Sequence, residues 1–420
     1  MTPPVFAGAA SAGSCRHCRR KLPRQYGLIF SMTTNARGVL QAARWHRREF
    51  LLALGAVGAL AGCGGGGGDG VELLPAGTKL LDLKFVDAQT AYGVGKEGLI
   101  ARTDDGGQTW RRLPSESTTD MISVLPVNRQ LVFVCGVDET VLRTLDGGAR
   151  WQTIRQGDGT VFGTPALVFA TDAEHVALRA EGGGGRWVYP DRLKITVDGG
   201  REWKVMSRPD SIIPWAPRFT PSGFLFSLYG PGEAQALWVS DDFGGSFRQT
   251  PLSGVAVGSF GDHGIWVQIP AGGAADQPGR VAVSQDAFRT WTEAPMQIDG
   301  FAVDAQPRIW MTFLDAAGLG WARPAWPDNG LLHTTDGGRR WTAAAVAAAP
   351  IDGRTLVMAR DGAQWLSTDA GATWRPFDGV SSRFERDAAG ALLARSWLLE
   401  GAGYSWQRST DDGRTWRTLL

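Results

Sequence analysis

An eight-residue motif recurs along the chain and constrains the fold more than any other feature of the sequence. Its clearest copy is Thr103–Trp110, which reads Thr-Asp-Asp-Gly-Gly-Gln-Thr-Trp. Seven further copies are Thr144–Trp151, Thr196–Trp203, Ser240–Phe247, Ser284–Trp291, Thr334–Trp341, Ser367–Trp374 and Ser409–Trp416. The central aspartates of consecutive copies lie 33 to 52 residues apart, by subtraction of their numbers. Such a period indicates a repeat architecture, in which each repeat is one supersecondary unit.

The residues around the first copy show what one unit contains. Four short segments, apolar or alternating, lie between glycine and aspartate turns: Leu81–Val86, Ala91–Gly95, Leu99–Thr103 and Thr109–Leu113. Segments of this length and period are typical of β-strands. Regular short strands with a glycine and aromatic pattern in every unit are typical of propeller blades. We therefore predict an all-β protein, a β-propeller of four-stranded antiparallel blades with the motif between the third and fourth strands.

The number of motifs predicts the number of blades. Eight copies favour eight blades over residues 78–420, each formed by one contiguous stretch of chain. Seven blades are the alternative, because the seventh aspartate follows the sixth after 33 residues, by subtraction, which leaves a short seventh blade.

The motif aspartates are predicted to be structural. A carboxylate in a tight turn can accept hydrogen bonds from nearby backbone N–H groups, and a Ser or Thr hydroxyl can do the same. The glycines allow a positive φ, and the tryptophan supplies apolar area that packs against the hairpin. The structural set is Asp105, Asp146, Asp198, Asp242, Asp286, Asp336, Asp369 and Asp411.

The motifs resemble Asp-box repeats, also called bacterial neuraminidase repeats. These repeats occur in sialidases, some other glycan hydrolases, sortilin-type receptors and the photosystem II assembly/stability factor family. The blades are most similar to the last family, as in the run Arg102–Trp110 and the repeated Arg143-Thr144 pair. His333 replaces this arginine in blade six, and no equivalent is identified in blades five, seven and eight. The resemblance implies a propeller without catalytic activity that assists assembly or stability of a protein complex.

The first 62 residues are predicted to be an export leader. Nine of the residues from 1 to 63 are Lys or Arg and one is acidic, and the short apolar run Leu52–Ala59 follows them. That run is too short to span a bilayer, so the pattern is that of a secretory signal peptide. The element Arg47–Leu51 resembles a twin-arginine signal. Because the leader starts late, translation from Met32 is an alternative in which residues 1–31 are a mis-called start.

The leader ends in Leu-Ala-Gly-Cys, which resembles a bacterial lipobox. The resemblance implies cleavage before Cys63 and a lipid on its sulfur, and several acyl chains anchor a protein firmly. Residues 63–77 then form a glycine-rich tether. We expect an exported, membrane-anchored lipoprotein that faces the periplasm or the cell exterior; the sequence leaves inner and outer membrane open. Cys135, in an apolar strand-like run, is predicted to be a buried thiol.

Strand alternation divides the turns of such blades between two faces. The first-to-second and third-to-fourth turns lie on one face, here called the Asp-box face. The second-to-third turns and the links between blades lie on the other, the loop face. Long insertions are predicted on the loop face at 181–191 in blade three, 270–279 in blade five and 314–329 in blade six.

Aromatic and arginine side chains in such loops are typical of binding sites. The candidate binding face is Trp187, Tyr189, Trp321, Arg323 and Trp326. The alternative is that these tryptophans fold back and cover their own loops.

Catalytic chemistry is not predicted. The early Arg-Ile-Pro element of sialidases is missing, and no Tyr–Glu pair can be assigned among Tyr92, Tyr189, Tyr229 and Tyr404. Asp158, Asp172, Asp262 and Asp304 are carboxylates available to a hydrolase that uses two of them. The histidines lack metal-ligand spacing, so no metal and no cofactor are predicted.

Three functions therefore remain. The preferred one is a tethered interaction propeller for a protein complex of the cell envelope; the alternatives are a glycan-acting hydrolase and a glycan-binding or small-ligand-binding lipoprotein. After residue 63 the chain has 34 basic and 41 acidic residues, by subtraction from the 43 and 42 of the whole chain. This mildly acidic body argues against a nucleic-acid partner.

Overall fold

A computed structural model describes most of the chain after residue 71. The described residues are 72–157, 165–180, 192–206, 218–229, 235–260, 264–270, 279–302, 307–315, 317–324, 330–344, 348–377, 381, 383–397 and 403–420. They belong to a compact unit, Gly68–Leu420, and a second unit, Met1–Gly67, lies outside them. All regular elements of the described residues are β-strands, and none of these residues forms a helix able to span a membrane.

In the described residues, thirty-three strands form eight sheets, one for each motif, so the protein is an eight-bladed β-propeller. Blade one is Asp82–Phe85, Ala91–Val94, Ile100–Thr103 and Arg111–Leu113. Blade two is Met121–Pro126, Val132–Gly136, Val141–Thr144 and Gln152–Arg155. Blade three is Ala166–Ala170, Val176–Ala180, Arg192–Thr196 and Lys204–Met206. Blade four is Arg218–Phe219, Leu225–Tyr229, Gln235–Ser240 and Arg248–Gly254.

The second half of the ring continues in the same way. Blade five is Ala256–Phe260, Gly264–Ile269, Arg280–Ser284 and Thr292–Pro295. Blade six is Ile309–Leu314, Gly320–Pro324, Leu332–Thr334 and Arg340–Ala343. Blade seven is Ala349–Pro350, Leu356–Arg360, Ala363–Ser367 and Arg375–Phe377. Blade eight is Arg383–Arg386, Leu392–Trp397, Tyr404–Ser409 and Arg417–Thr418.

The predicted fold class is confirmed, including the choice of eight blades over seven. Consecutive strands pair antiparallel in every blade, so each blade is one contiguous stretch and none is shared between the two chain ends. The short spacing before Asp369 corresponds to a short blade seven, because its innermost strand, Ala349–Pro350, has only two residues.

The burial of side chains explains the sequence patterns of the innermost and second strands of a blade. In the innermost strand of blade one, Leu83 and Phe85 are buried while Asp82 and Lys84 are half-buried. The second strand is covered on both sides, and every residue of Ala91–Val94 is buried. The alternation of the inner strand and the continuous apolar character of the second one follow from these two environments.

Apolar clusters fill the junctions between neighbouring blades. Ile100 and Val134 belong to the cluster between blades one and two, and Phe133 and Leu178 to the one between blades two and three. Between blades seven and eight, the ring of Phe377 makes edge-to-face contacts with the rings of Phe384 and Trp416. The centroid distances are 4.9 and 5.0 Å, respectively. The core is therefore distributed around the ring, with one share at each junction.

The ring closes between blades eight and one. Tyr404 N donates to Leu80 O at 3.1 Å, and Lys84 Nζ lies 2.6 Å from Glu385 Oε1 on the innermost strand of blade eight. Leu80 and Leu419 share one buried cluster. The two ends of the propeller are thus joined by the same kinds of contact that join other blades.

Two blades carry additional strand pairing at their outer edge, which the sequence does not predict. Gln297–Ile298 pairs in parallel with Arg340–Ala343, so the sheet of blade six has five strands. On blade one, Leu73 forms an antiparallel bridge with Arg111.

Candidate interaction faces

The Asp-box turns have one geometry in all eight copies. In the first copy the Thr103 hydroxyl donates to Asp105 Oδ1 at 2.7 Å and accepts from Gly107 N at 2.9 Å. The other Asp105 oxygen accepts the N–H and hydroxyl of Thr109, at 2.9 and 2.6 Å. The same Ser/Thr-to-Asp bond recurs at Asp146, Asp198, Asp242, Asp286, Asp336, Asp369 and Asp411, at 2.7 to 2.9 Å.

Donated hydrogen bonds stabilise the ionised form of several of these carboxylates, as three of them illustrate. Bonds from the backbone N–H and the hydroxyl of Thr290 lower the pKa of Asp286 to about 2. Bonds from the hydroxyl and N–H of Thr373 do the same for Asp369. At Asp105, partial burial opposes the shift, yet the bonds from Thr109 and Thr103 prevail and the pKa is again about 2. The aspartates therefore act as hydrogen-bond acceptors for residues of their own turns.

Some arginines beside the Asp-box connect one blade to the next. Nη1 of Arg102 donates to Gly147 O in blade two at 3.0 Å, and Nη1 of Arg143 donates to Ala173 O in blade three at 2.6 Å. Each of these arginines directly precedes the Ser or Thr of its motif. The Asp-box face is thus held together by turn bonds within blades and guanidinium bonds between them.

Blade eight carries the equivalent arginine, so the prediction from the sequence that this blade lacks it is wrong. Arg408 precedes Ser409, and its Nη1 donates to Ala88 O of blade one at 2.9 Å. The first two blades have an Arg-Thr pair at this position, whereas blade eight has Arg-Ser. The hydroxyl is common to both residues, so the position could have been recognised from the sequence.

The candidate binding face is only partly within the described residues. Trp187, Tyr189 and Trp326 lie outside them, as do residues 181–191 and 271–278 of two predicted insertions. Their role in binding stays a prediction. Cys63 and the leader also lie outside the described residues.

The loop placement of Trp321 and Arg323 is wrong. Both belong to Gly320–Pro324, the second strand of blade six, which interrupts the insertion predicted at 314–329. Trp321 is 1% exposed, and its indole N–H donates to Gly353 O of blade seven at 3.1 Å. Arg323 Nη2 donates to Ala348 O, the residue before the first strand of blade seven, at 2.9 Å. Both side chains join blades six and seven.

The loop face of blades one and two is a continuous, hydrogen-bonded surface. Gly98 N, in the second-to-third turn of blade one, donates to Thr119 O in the link to blade two at 3.1 Å. The carboxylate of Asp120 accepts a hydrogen bond from Glu97 N at 2.9 Å, and the backbone carbonyl of Asp120 accepts one from Val137 N at 3.0 Å. These bonds connect the second-to-third turns of blades one and two with the link between the two blades.

Charged contacts extend this surface into blade three. Arg155 Nη2 lies 2.9 Å from Glu139 Oε2, and Lys194 Nζ binds the same carboxylate. All three side chains are less than 20% exposed. Hydrogen bonds and ion pairs therefore connect blades one to three on the described part of the loop face.

Of the residues considered for catalysis, Tyr189, Asp158, Asp262 and Asp304 lie outside the described residues. Tyr92 and Asp172 are described, and both take part in local structural contacts. Tyr92 is buried, and its hydroxyl donates to Arg129 O at 2.6 Å. Asp172 accepts the backbone N–H and the ring Nδ1 of His175, within its own turn. No group of three or more His, Cys, Asp or Glu side chains able to hold a metal occurs among the described residues. Cys135 is buried and unpaired, as predicted, and burial raises the pKa of its thiol.

The eight blades and their carboxylate-centred turns define the class of the protein: it is an Asp-box β-propeller. Within that class the chain resembles the family described as photosynthesis system II assembly factor YCF48, whose family model matches residues 71–213. The matched range corresponds to blades one to three.

Solved propellers are similar to this chain at low sequence identity. YCF48 bound to D1 peptide is 18% identical, covering 72% of this chain and 94% of that one, with a TM-score of 0.35. YCF48 from Cyanidioschyzon merolae is also 18% identical, covering 71% and 96%, with a TM-score of 0.35. A GH74 xyloglucanase from Xanthomonas campestris is 15% identical, covering 81% and 72%, with a TM-score of 0.29. A comparison with curated proteins finds no match.

Proposed function

We propose that the protein is a non-catalytic interaction propeller that helps to assemble or stabilise a protein complex of the cell envelope. The observation that carries the proposal is the family match over residues 71–213, since the matched family is described as an assembly factor. A solved YCF48 carries a D1 peptide; by analogy, the partner of this chain is a protein. The photosynthetic complex itself is not part of the proposal.

We place the partner on the loop face. The aspartates of the Asp-box face are used within their own turns, so that face repeats one structural element eight times. The loop face differs from blade to blade, and the insertions at 181–191 and 270–279 are predicted to lie on it. A surface without repetition can recognise one partner specifically, and its aromatic residues are of the kind that dominate binding energy.

Partner capture from native membranes tests this placement. The variant Trp187→Ala/Tyr189→Ala/Trp326→Ala removes the candidate aromatics and omits Trp321, whose burial makes it a stability residue. The matched control is Leu145→Ala/Arg201→Ala, at exposed positions of the Asp-box face. We expect the triple variant to lose at least about tenfold of the captured partner, as for hot-spot residues, and the control to retain it. Equal capture by both variants would exclude the loop-face aromatics.

The assembly role has a separate test. In cells lacking the protein, the captured complex should accumulate in incomplete form, as measured by native gel electrophoresis of membranes. Restoring the full chain should restore the complete complex. Normal amounts of complete complex in its absence would contradict the assembly role, whatever the loop-face variants bind.

We further propose that a lipid on Cys63 anchors the propeller to the membrane. The lipobox-like run before Cys63 and the glycine-rich residues after it support this. Cys63→Ala should move the protein from the membrane to the soluble fraction, because anchoring by acyl chains is lost. Mass spectrometry of the amino-terminal peptide should show the acyl groups in the unsubstituted protein. An unmodified Cys63 would refute the anchor.

A further inference from the structure

A groove opens at the outer side of the junction between blades one and two. It has a volume of about 600 Å³, within the range of small-ligand sites. One wall is the link Pro114–Thr119 that leaves blade one. The floor and the other wall come from blade two, through Thr140, Leu142, Thr153 and Trp151, with Arg150 and Gln156 also lining the groove.

Hydroxyl groups dominate the lining. Ser115, Ser117, Thr118, Thr119, Thr140 and Thr153 all contribute. A hydroxyl both donates and accepts hydrogen bonds, which suits a ligand that is itself rich in hydroxyls. The two ionised side chains in the lining, Glu116 and Arg150, have opposite charges. The lining is therefore nearly neutral overall and favours a neutral ligand.

Part of this lining is fixed before any ligand arrives. Ser115 Oγ donates to Gly98 O at 3.0 Å, and Ser117 Oγ accepts Thr119 N at 3.2 Å. Thr140 Oγ1 donates to Asp138 Oδ2 at 2.9 Å and accepts Gly157 N at 3.0 Å. A preorganised lining loses little conformational entropy on binding. Thr118, Thr153 and Gln156 are exposed and complete the polar surface.

The motif tryptophans of blades two and three both pack against the apolar cluster of their own junction, but their indole N–H groups differ. Trp203 donates from its indole nitrogen to Ile154 O at 3.2 Å, and the Arg155 guanidinium lies 5.8 Å from the centre of its ring. Trp151 occupies the same motif position, yet its buried indole nitrogen has no acceptor among the described residues. Its half-buried ring lines the groove instead.

We propose that this groove binds a short neutral oligosaccharide. The C–H face of a sugar ring is apolar and stacks on an indole, while its hydroxyls bond to a polar lining. A protein segment is less suited, because peptide anchors need apolar pockets and Leu142, the aliphatic side chain in the floor, is itself buried. Sugar binding in this groove does not depend on the assembly role.

Isothermal titration of the full chain with maltotriose, cellotriose and xylotriose tests the proposal. Few contacts and a small ligand predict millimolar dissociation constants, so titrations extend to about 20 mM. Thr153→Arg fills the groove from an exposed position and should weaken binding at least about tenfold, because ligand hydrogen bonds are lost. The matched control is Thr418→Arg, since Trp416-Arg417-Thr418 in blade eight corresponds to Trp151-Gln152-Thr153. It should change binding less than about twofold.

Circular dichroism and urea unfolding of both variants confirm that each is folded. Binding of one sugar that Thr153→Arg weakens and Thr418→Arg does not would support the site. Binding of none of the three sugars would overturn it, as would binding that both variants leave unchanged. A hexapeptide library that binds through Thr153 while the sugars do not would also overturn it, because the groove would then be a peptide site.

Discussion

At the scale of single residues, Gly98 shows how closely the loop face of blades one and two is packed. Its φ is +68°, in the left-handed region that glycine tolerates. A Cβ at this position would lie 1.7 Å from Ser117 O, a backbone atom of the link. The turn and the link can therefore approach each other only because residue 98 has no side chain.

Gly98→Ala should lower the free energy of unfolding by about 2–3 kcal/mol, since the backbone of the link has to move. Gly390→Ala is the control: its φ is +79°, but nothing lies within 4 Å of the added Cβ. That variant should cost about 1 kcal/mol, from backbone conformation alone. Urea unfolding measures both, and equal losses would mean that the contact with Ser117 is unimportant.

Trp321 shows where sequence reasoning fails at this scale. Glycines at 318 and 320 and prolines at 324 and 327 surround it, which is typical of a loop. The structure makes it a strand residue because of distant partners: Leu332–Thr334 across the sheet, and Gly353 in the next blade. Such partners are separated along the chain and leave no local pattern. Trp321→Ala should therefore cost about 3–5 kcal/mol of stability, measured by urea unfolding; a loss below 1 kcal/mol would contradict its structural role.

At the scale of the element, the Asp-box hairpin could be predicted almost completely from the sequence. Its bonds join residues at most four positions apart, so the motif contains both donor and acceptor. Even the fifth copy, with Ala287-Phe288 in place of glycines, keeps the same turn, with φ values of +54° and +59°. Phe288 is buried there, so its apolar contacts oppose the cost of the unusual backbone.

Acid should destabilise these hairpins. A carboxyl with a folded pKa of about 2 and an ordinary value of 3.8, such as Asp286 or Asp369, favours the folded state when ionised. This contribution is fully present above pH 3.8 and is lost as the pH falls toward about 2. Unfolding free energies measured by urea across that interval should decrease.

The double variant Asp286→Asn/Asp369→Asn is the control for this dependence. It removes two of the titrating carboxyls, so its stability should be lower at neutral pH and should fall less steeply in acid. A slope equal to that of the unsubstituted protein would show that other carboxyls cause the acid sensitivity.

At the scale of the whole molecule, Arg408 of blade eight lies where the ring closes onto blade one, and it also forms a buried ion pair within its own blade. Arg408 Nε donates to Asp387 Oδ2 at 2.8 Å, and the two side chains are 4% and 0% exposed. The guanidinium also lies 3.8 Å from the centre of the Phe85 ring in blade one. The number of blades could be predicted from the motifs. The contacts of Arg408 with blade one could not, because Arg408 and Ala88 are more than 300 positions apart in the chain.

Arg408→Met should lower the free energy of unfolding by about 3–5 kcal/mol, because Asp387 would be left buried without its cation. Adding Asp387→Asn should recover part of this loss by removing the unpaired charge. Arg360→Met, at an exposed pair with Asp361, is the control and should cost less than about 1 kcal/mol. Urea unfolding compares the three, and a loss at Arg408 no greater than that at Arg360 would contradict a stabilising role for the buried ion pair.

The pairing of residues 72–74 with blade one has a mechanical consequence. Arg112 N donates to Glu72 O and Leu74 N to Trp110 O, each at 2.8 Å, so this segment is held at the rim by two backbone bonds. A pulling force that enters the chain ahead of Glu72 meets these bonds first. When they break, Pro75–Lys79 can straighten before any tension reaches Leu80, where the ring is closed. Under load, this segment would therefore lengthen before the contacts that close the ring at Leu80 are stretched.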